Sequence, residues 1–181
     1  MERRKNIRLQ QYDYSAAGCY FITICTRNRE NRFWRVETKT AGLPNDAVVG
    51  ARIARPDCPD YSLSAYGIIA DAAIRSIHDH YPAVLVENYV VMSNHIHLLL
   101  TISSDENGRA MRAPTISVVV NQLKGYISKQ VGEPIWQKLF HDHIIRDEAD
   151  YQKHWQYIED NPAKWSEDEY YLEEQCYGSK I

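Results

Sequence analysis

Apolar residues along this chain fall into two rhythms. Residues 19–26, Cys-Tyr-Phe-Ile-Thr-Ile-Cys-Thr, are apolar on both faces of an extended chain, which predicts a central strand. Residues 87–92 and 95–102 are two further β-branched-rich runs separated only by Ser93-Asn94, which predicts a hairpin with a tight turn. Trp136 to Arg146 predicts a last strand, and Phe33 to Val36 a short strand or bulge. Elsewhere the period lengthens to about 3.6. Ser64 is a suitable N-cap for a helix over 64–80, whose Tyr66, Ile69, Ala73 and Ile77 share a face, with Pro82 beyond its end. Pro114 and Thr115 open a second helix to 131 on the stripe Ile116, Val119, Val120, Leu123, Ile127, Val131. A third helix covers 147–160 and stops at Asn161-Pro162.

The order strand, helix, strand, strand, helix, strand predicts an α+β fold of the ferredoxin-like split βαββαβ kind: an antiparallel four-stranded sheet, with a helix appended at the C-terminal end. Both faces of 95–102 are apolar, so the appended helix or a second subunit is expected to cover the face that the two crossover helices leave open. Residues 37–63 show no sustained period and contain Gly42, Pro44, Gly50, Pro56 and Pro59, which reads as an irregular insertion loop.

Composition sharpens this picture only locally. The 181 residues fit one domain, 1–181, with 44% apolar residues, 13 Tyr and 4 Trp, enough for a sizeable core. No run approaches the ~20 apolar residues of a membrane span and no apolar signal core follows Met1, so a cytoplasmic, membrane-free protein is expected. The four cysteines contain no CxxC pair, in keeping with that compartment. The net charge of −3 is unevenly spread: residues 1–40 hold nine Lys and Arg against four Asp and Glu, whereas 147–181 hold three against ten. A basic arm over 1–18, with Arg3, Arg4, Lys5 and Arg8, then Arg27 and Arg29, suits a local phosphate-binding surface. Unevenly solvated faces would give the same asymmetry.

The chemistry concentrates at His95-Ile96-His97. In a strand these two imidazoles share a face, roughly 7 Å apart along the chain, and can converge on one metal ion. The plainer alternative is two core histidines bonded to backbone carbonyls. On the second helix, stepping about 100° per residue from Leu123 puts Gln130 inside the apolar stripe and Tyr126 on its flank. They are i, i+4 neighbours expected to look toward the sheet, where the amide oxygen of a buried Gln needs a partner. A metal would be one such partner and backbone another. His78-Asp-His80 at a helix end points two rings apart, and His141-Asp-His143 has a poor buried spacer in Asp142, so neither is read as a metal site.

The block Val91-Met-Ser-Asn-His-Ile-His97, followed by Lys124-Gly-Tyr126 and Gln130, resembles the HUH single-tyrosine transposases, where U is hydrophobic. More narrowly it is similar to the REP-associated tyrosine transposases. The likeness runs over nearly the whole chain, through Arg3-Arg4-Lys5, Tyr20 to Thr26, His143-Ile-Ile-Arg-Asp147 and Tyr157-Ile-Glu-Asp-Asn-Pro-Ala-Lys-Trp165. Ser93 stands where many relatives have Pro. The resemblance implies a metal-dependent endonuclease and strand transferase acting on single-stranded DNA at hairpins through a 5′-phosphotyrosine, as a monomer or homodimer. It implies His95, His97 and Gln130 as ligands of Mg²⁺ or Mn²⁺, although imidazole ligands alone would suggest zinc. Tyr126 is the implied nucleophile, and Tyr151 and Tyr157 on the appended helix are read as core or surface. Arg3, Arg4, Lys5, Arg8, Arg27, Arg29 and Lys124 are the expected DNA contacts. A domesticated hairpin-binding protein with little cleavage is the alternative, and a replication-initiator or relaxase type of HUH enzyme is a third reading.

Overall fold

A computed structural model describes residues 17–36, 61–103 and 114–165. The basic arm with Arg3, Arg4, Lys5 and Arg8, most of the 37–63 insertion, and the acidic tail beyond 165 lie outside the described residues. Strand β1 is Gly18–Cys25, followed by a 3₁₀ turn at Arg27–Arg29 and short β2 at Trp34–Val36. Then come β3 (Tyr61–Leu63), α1 (Ala65–Arg75), α2 (Ile77–His80), β4 (Val84–Val91), β5 (His95–Ile102), α3 (Ile116–Val131), β6 (His141–Ile145) and α4 (Glu148–Asp160).

The main sheet has the order β4-β5-β1-β6 with every pair antiparallel. Counting only these four strands, this is the expected ferredoxin-like arrangement, with α4 appended. Four boundaries differ from the sequence reading, and the first is that β4 begins at Val84, three residues before the expected start at 87. Residues 61–63 leave the insertion and pair with 34–36 as a second, two-stranded sheet. The helix over 64–80 divides at Ser76, whose hydroxyl bonds back to the Ala73 carbonyl. The last strand shrinks to His141–Ile145, because Trp136 instead makes an isolated bridge to Thr26.

Caps fix the helix starts: Ser64, as the sequence suggests, and also Thr115 and Asp147 accept through their side chains from the N–H groups of Gly67, Val118 and Asp150. Gly132 ends α3 at φ 85, a left-handed conformation that suits glycine. Gly67 is required by close approach, since a Cβ there would lie 2.3 Å from the Phe33 carbonyl oxygen.

Register decides which residues share a face. Cross-strand partners put Tyr20, Ile22, Ile24, Ile96, Leu98 and Leu100 on one side, and Phe21, Thr23, Cys25, His95 and His97 on the other. On the first side Tyr89, opposite Leu98, donates its hydroxyl to Asp71 of α1. On the second, Asn88 donates to Glu159 of α4. Helices α1 and α3, which pack on each other, therefore cover the isoleucine face, and α4 covers the histidine face. A register shift at Glu87 turns Asn88 toward α4. Both faces are buried, as the sequence required, and the appended helix supplies the second cover. Among the described residues no helix is long and apolar enough to cross a membrane.

Candidate active site

The β4–β5 turn is closed by the Met92 N–H donating to the His95 carbonyl. Its two residues, Ser93 and Asn94, are buried, which a hairpin turn tolerates only if its polar groups are bonded. The segment after β1 supplies those bonds. Ser93 O accepts from the N–H groups of Arg32 and Phe33, and Asn94 O accepts from the N–H and hydroxyl of Thr26. The Asn94 amide donates to Arg29 O at 3.1 Å, which leaves its oxygen facing His95.

His95 and His97 are buried on one face of β5, and their Nε2 atoms lie 2.9 Å apart. Each Nδ1 has its own partner: Asn94 Oδ1 for His95 and Thr23 Oγ1 for His97, both at 2.9 Å. An amide oxygen only accepts, so His95 carries its proton on Nδ1 and turns the Nε2 lone pair toward His97. Burial, then the charge of Arg29, pushes the His95 pKa down to about 3, so the ring is neutral near pH 7. Two ring nitrogens facing each other, with outer nitrogens anchored, form a donor pair that fits a divalent cation.

What stands around that pair differs from the expectation. Tyr126 and Gln130 are exposed on α3, and Tyr126 borders a small cavity with Ile77, Tyr81 and Gln122 between α1–α2 and α3. That is the opposite side of the sheet. The buried arc of α3 runs through Leu123, Ile127 and Val120 to Lys124, away from Tyr126, and Gln130 sits in the last turn. The structure therefore does not bring Tyr126 and Gln130 to the histidines. Lys124, expected to face DNA, is buried: its ammonium donates to the carbonyls of Gln137 at 2.6 Å and Lys138 at 3.2 Å, and burial lowers its pKa. It clamps the loop after α3.

On the histidine face the neighbours come from α4. The Tyr157 ring meets His97 edge-on at 5.1 Å, and Trp165 lies 5.7 Å from His95. A cavity of about 760 Å³ opens here, lined by Thr23, His97, His154, Tyr157, Asn161 and Lys164 among others. Asn161 is buried at the end of α4, four residues after Tyr157, and its N–H bonds to the Tyr157 carbonyl. Tyr157 and Asn161 repeat the tyrosine–amide spacing seen at Tyr126 and Gln130. That repeat is the signal the sequence carries for Tyr157, which the sequence pattern alone places at core or surface. Arg27 is exposed and Arg29 half-buried on the turn that fastens Asn94, so both stay near the histidines. His78 and His80 bond separate carbonyls, Val84 and Ser76, as two rings that do not converge.

A protein of Haemophilus influenzae described as uncharacterized is 27% identical over 192 residues, spanning 96% of both chains. A putative REP-associated tyrosine transposase of the same organism is 29% identical over 163 residues, 84% of this chain and 74% of that one. Among solved structures, a REP-associated tyrosine transposase bound to a REP hairpin matches with TM-score 0.53 and 21% identity, over 87% of this chain and 74% of that one. The chain resembles a REP-associated tyrosine transposase in sequence and in fold. No protein-family model matches it. In this chain the appended helix α4 is the element that carries Tyr157 and Asn161 to the histidine face.

Proposed function

We propose that the protein is a metal-dependent nicking and joining enzyme for single-stranded DNA at hairpins, with Tyr157 as nucleophile. His95, His97 and Asn161 would hold Mg²⁺ or Mn²⁺. The observation that carries this reading is the meeting of His97 and Tyr157 at one cavity, with Asn161 buried one turn further on.

When bound, such an ion would draw charge from the scissile phosphate and stabilise the departing 3′ oxygen. The chain's own residues supply the rest. Asn94 and Thr23 anchor the two Nδ1 atoms, so the two Nε2 atoms meet beside the cavity that His97 lines. Phe21 packs against His97 and Tyr157, fixing the angle between ligand strand and nucleophile. Lys153 and Lys164 on the rim, with Arg27 and Arg29 beyond the histidine turn, offer positive charge to the strand. Attack by the phenol oxygen leaves a 5′-phosphotyrosine and a free 3′-OH, so the bond energy is kept for rejoining.

The test is to incubate the protein with Mn²⁺ and an internally labelled hairpin-bearing single strand, then map the covalent peptide by mass spectrometry. Tyr157→Phe should bind the strand and form no adduct, whereas Tyr126→Phe should form it as the wild type does. An adduct on Tyr126, or any adduct in Tyr157→Phe, would overturn the assignment. Binding with no adduct in the wild type would favour a hairpin-binding protein instead.

A further inference from the structure

Three polar side chains beside the cavity have no role in the site so far: His143 on β6 and Asp150 and His154 on α4. His143 shares the histidine face, since it pairs with Phe21 across the sheet. Asp150 lies between the two rings. Its Oδ2 accepts from His143 Nε2 at 2.8 Å and from the Arg146 N–H at 3.2 Å, and its Oδ1 is 3.1 Å from His154 Nδ1. Partial burial works to raise the Asp150 carboxyl, but the His143 and Arg146 bonds and both imidazoles hold it below its ordinary value. It is a carboxylate at neutral pH.

The bond that decides the chemistry is the one from His154 Nδ1 to the Asp150 backbone carbonyl, at 2.8 Å. A carbonyl oxygen only accepts, so His154 carries its proton on Nδ1 and its basic lone pair on Nε2. The three side chains stand close enough to hold a cation, with ligand atoms within 4.8 Å of one another. Yet His154 Nδ1, the nitrogen 3.1 Å from the Asp150 carboxylate, is committed as a donor to the Asp150 carbonyl, which argues for a proton relay over a second metal centre.

We infer that His154 is the proton acceptor for Tyr157, held in its working tautomer by Asp150, which His143 braces from β6; this rests on the reading of Tyr157 as nucleophile. The two residues are three apart on α4, face the same way, and line the same cavity. Phe21 touches both rings, at 4.6 Å from His154 and 5.9 Å from Tyr157. The other charged or titratable groups around His154 are Lys153, Asp160 and Lys164 at the cavity wall, His143 from β6 and His97 from β5. In nicking, the Tyr157 O–H bond breaks and its proton passes to His154 Nε2. The phenol oxygen bonds to phosphorus, and the P–O3′ bond breaks with its electron pair on the 3′ oxygen. The 3′ oxygen leaves on the far side of phosphorus and takes its proton from solvent, while the imidazolium beside Tyr157 keeps the phenol's proton. In joining, the incoming 3′-OH loses its proton to solvent as its oxygen bonds to phosphorus, and the His154 imidazolium returns a proton to the departing phenolate.

The experiment is single-turnover adduct formation by the full chain with Mn²⁺ and the hairpin-bearing single strand, the adduct being mapped in every variant. His154→Ala should slow it by about 10²–10⁴-fold with hairpin affinity kept, and free imidazole should restore part of the rate. His154→Gln, which keeps bulk and polarity, should be equally slow, so a folding defect is separable from a missing base. Difluorotyrosine at 157, a more acidic phenol, should shrink the penalty of His154→Ala. A His154→Ala rate within about threefold of wild type overturns the inference, as does a loss relieved by neither imidazole nor the acidic phenol. Wild-type adduct on a residue other than Tyr157, or none, overturns the reading beneath it.

Discussion

Replacing His95 with Gln should make the protein less sensitive to acid, by an amount the burial of the ring sets. The folded imidazole is held at about 3, while the same ring in the unfolded chain titrates at its ordinary 6.5. Between those values the unfolded state takes up a proton and the folded state refuses it. Stability therefore falls as pH drops below about 6.5, and the loss is complete near pH 3. Each pH unit inside the window costs about 1.36 kcal/mol, so moving from pH 7.5 to 5.0 costs about 2 kcal/mol through His95 alone. Against a typical total of about 5–15 kcal/mol that is large. Gln offers an N–H to the Asn94 oxygen and does not titrate. Urea unfolding with a chelator present, followed by tryptophan fluorescence, should show the wild type losing about 2 kcal/mol more than His95→Gln over this range, a midpoint difference of about 1 M. Trp165, beside His95, is a built-in reporter. Equal pH dependence in the two proteins would refute the argument that His95 is held neutral by burial.

Thr23→Val keeps shape but removes the partner of His97 Nδ1. Mn²⁺ affinity, read by calorimetry, should fall about 10–100-fold, and no loss would show that Thr23 does not orient the ligand. Lys124→Met should lower stability by about 1.5–3 kcal/mol in thermal or urea unfolding while leaving hairpin affinity unchanged, because the ammonium serves two carbonyls. Arg27→Ala with Arg29→Ala should weaken binding to a labelled hairpin and reduce the salt slope by about 1.4, two phosphate contacts on a single strand; an unchanged slope would place the DNA elsewhere.

How much was legible in the sequence depended on whether a pattern speaks for itself or needs a partner. The hairpin at Ser93-Asn94 was legible because two β-branched runs flank two turn residues, and the sheet order followed from the alternation of strands and helices. The histidine pair was legible because the period of a strand is two. The choice between Tyr126 and Tyr157 was not. Both lie on amphipathic helices with an amide four residues on, and β5 is apolar on both faces, so nothing in its pattern says which face a given helix covers. Register against β1 and the bond between Asn88 and Glu159 decide that, and neither has a local signature. Lys124 misled for a related reason: a long side chain drawn as outward can still fold back to cap carbonyls of the following loop.

The small β2–β3 ladder has a consequence for how this chain can be lengthened or shortened. Val36 and Tyr61 are paired, so the polypeptide departs from and returns to the body at one place, far in sequence from the histidine turn. Phe33 and Ser64, just outside the ladder, are tied together by a backbone bond of 2.8 Å, which locks the base. Changing the length of a segment whose ends are already joined alters closure entropy only logarithmically, about 0.6 kcal/mol for each doubling. A reporter domain or affinity handle spliced between 37 and 60 is therefore expected to leave Thr23, Asn94 and both imidazoles in place, because the described ends of that segment are already joined. The stretch from Thr26 to Phe33 has no such licence, since four of its residues hold the histidine turn in place and a single insertion there would shift them all.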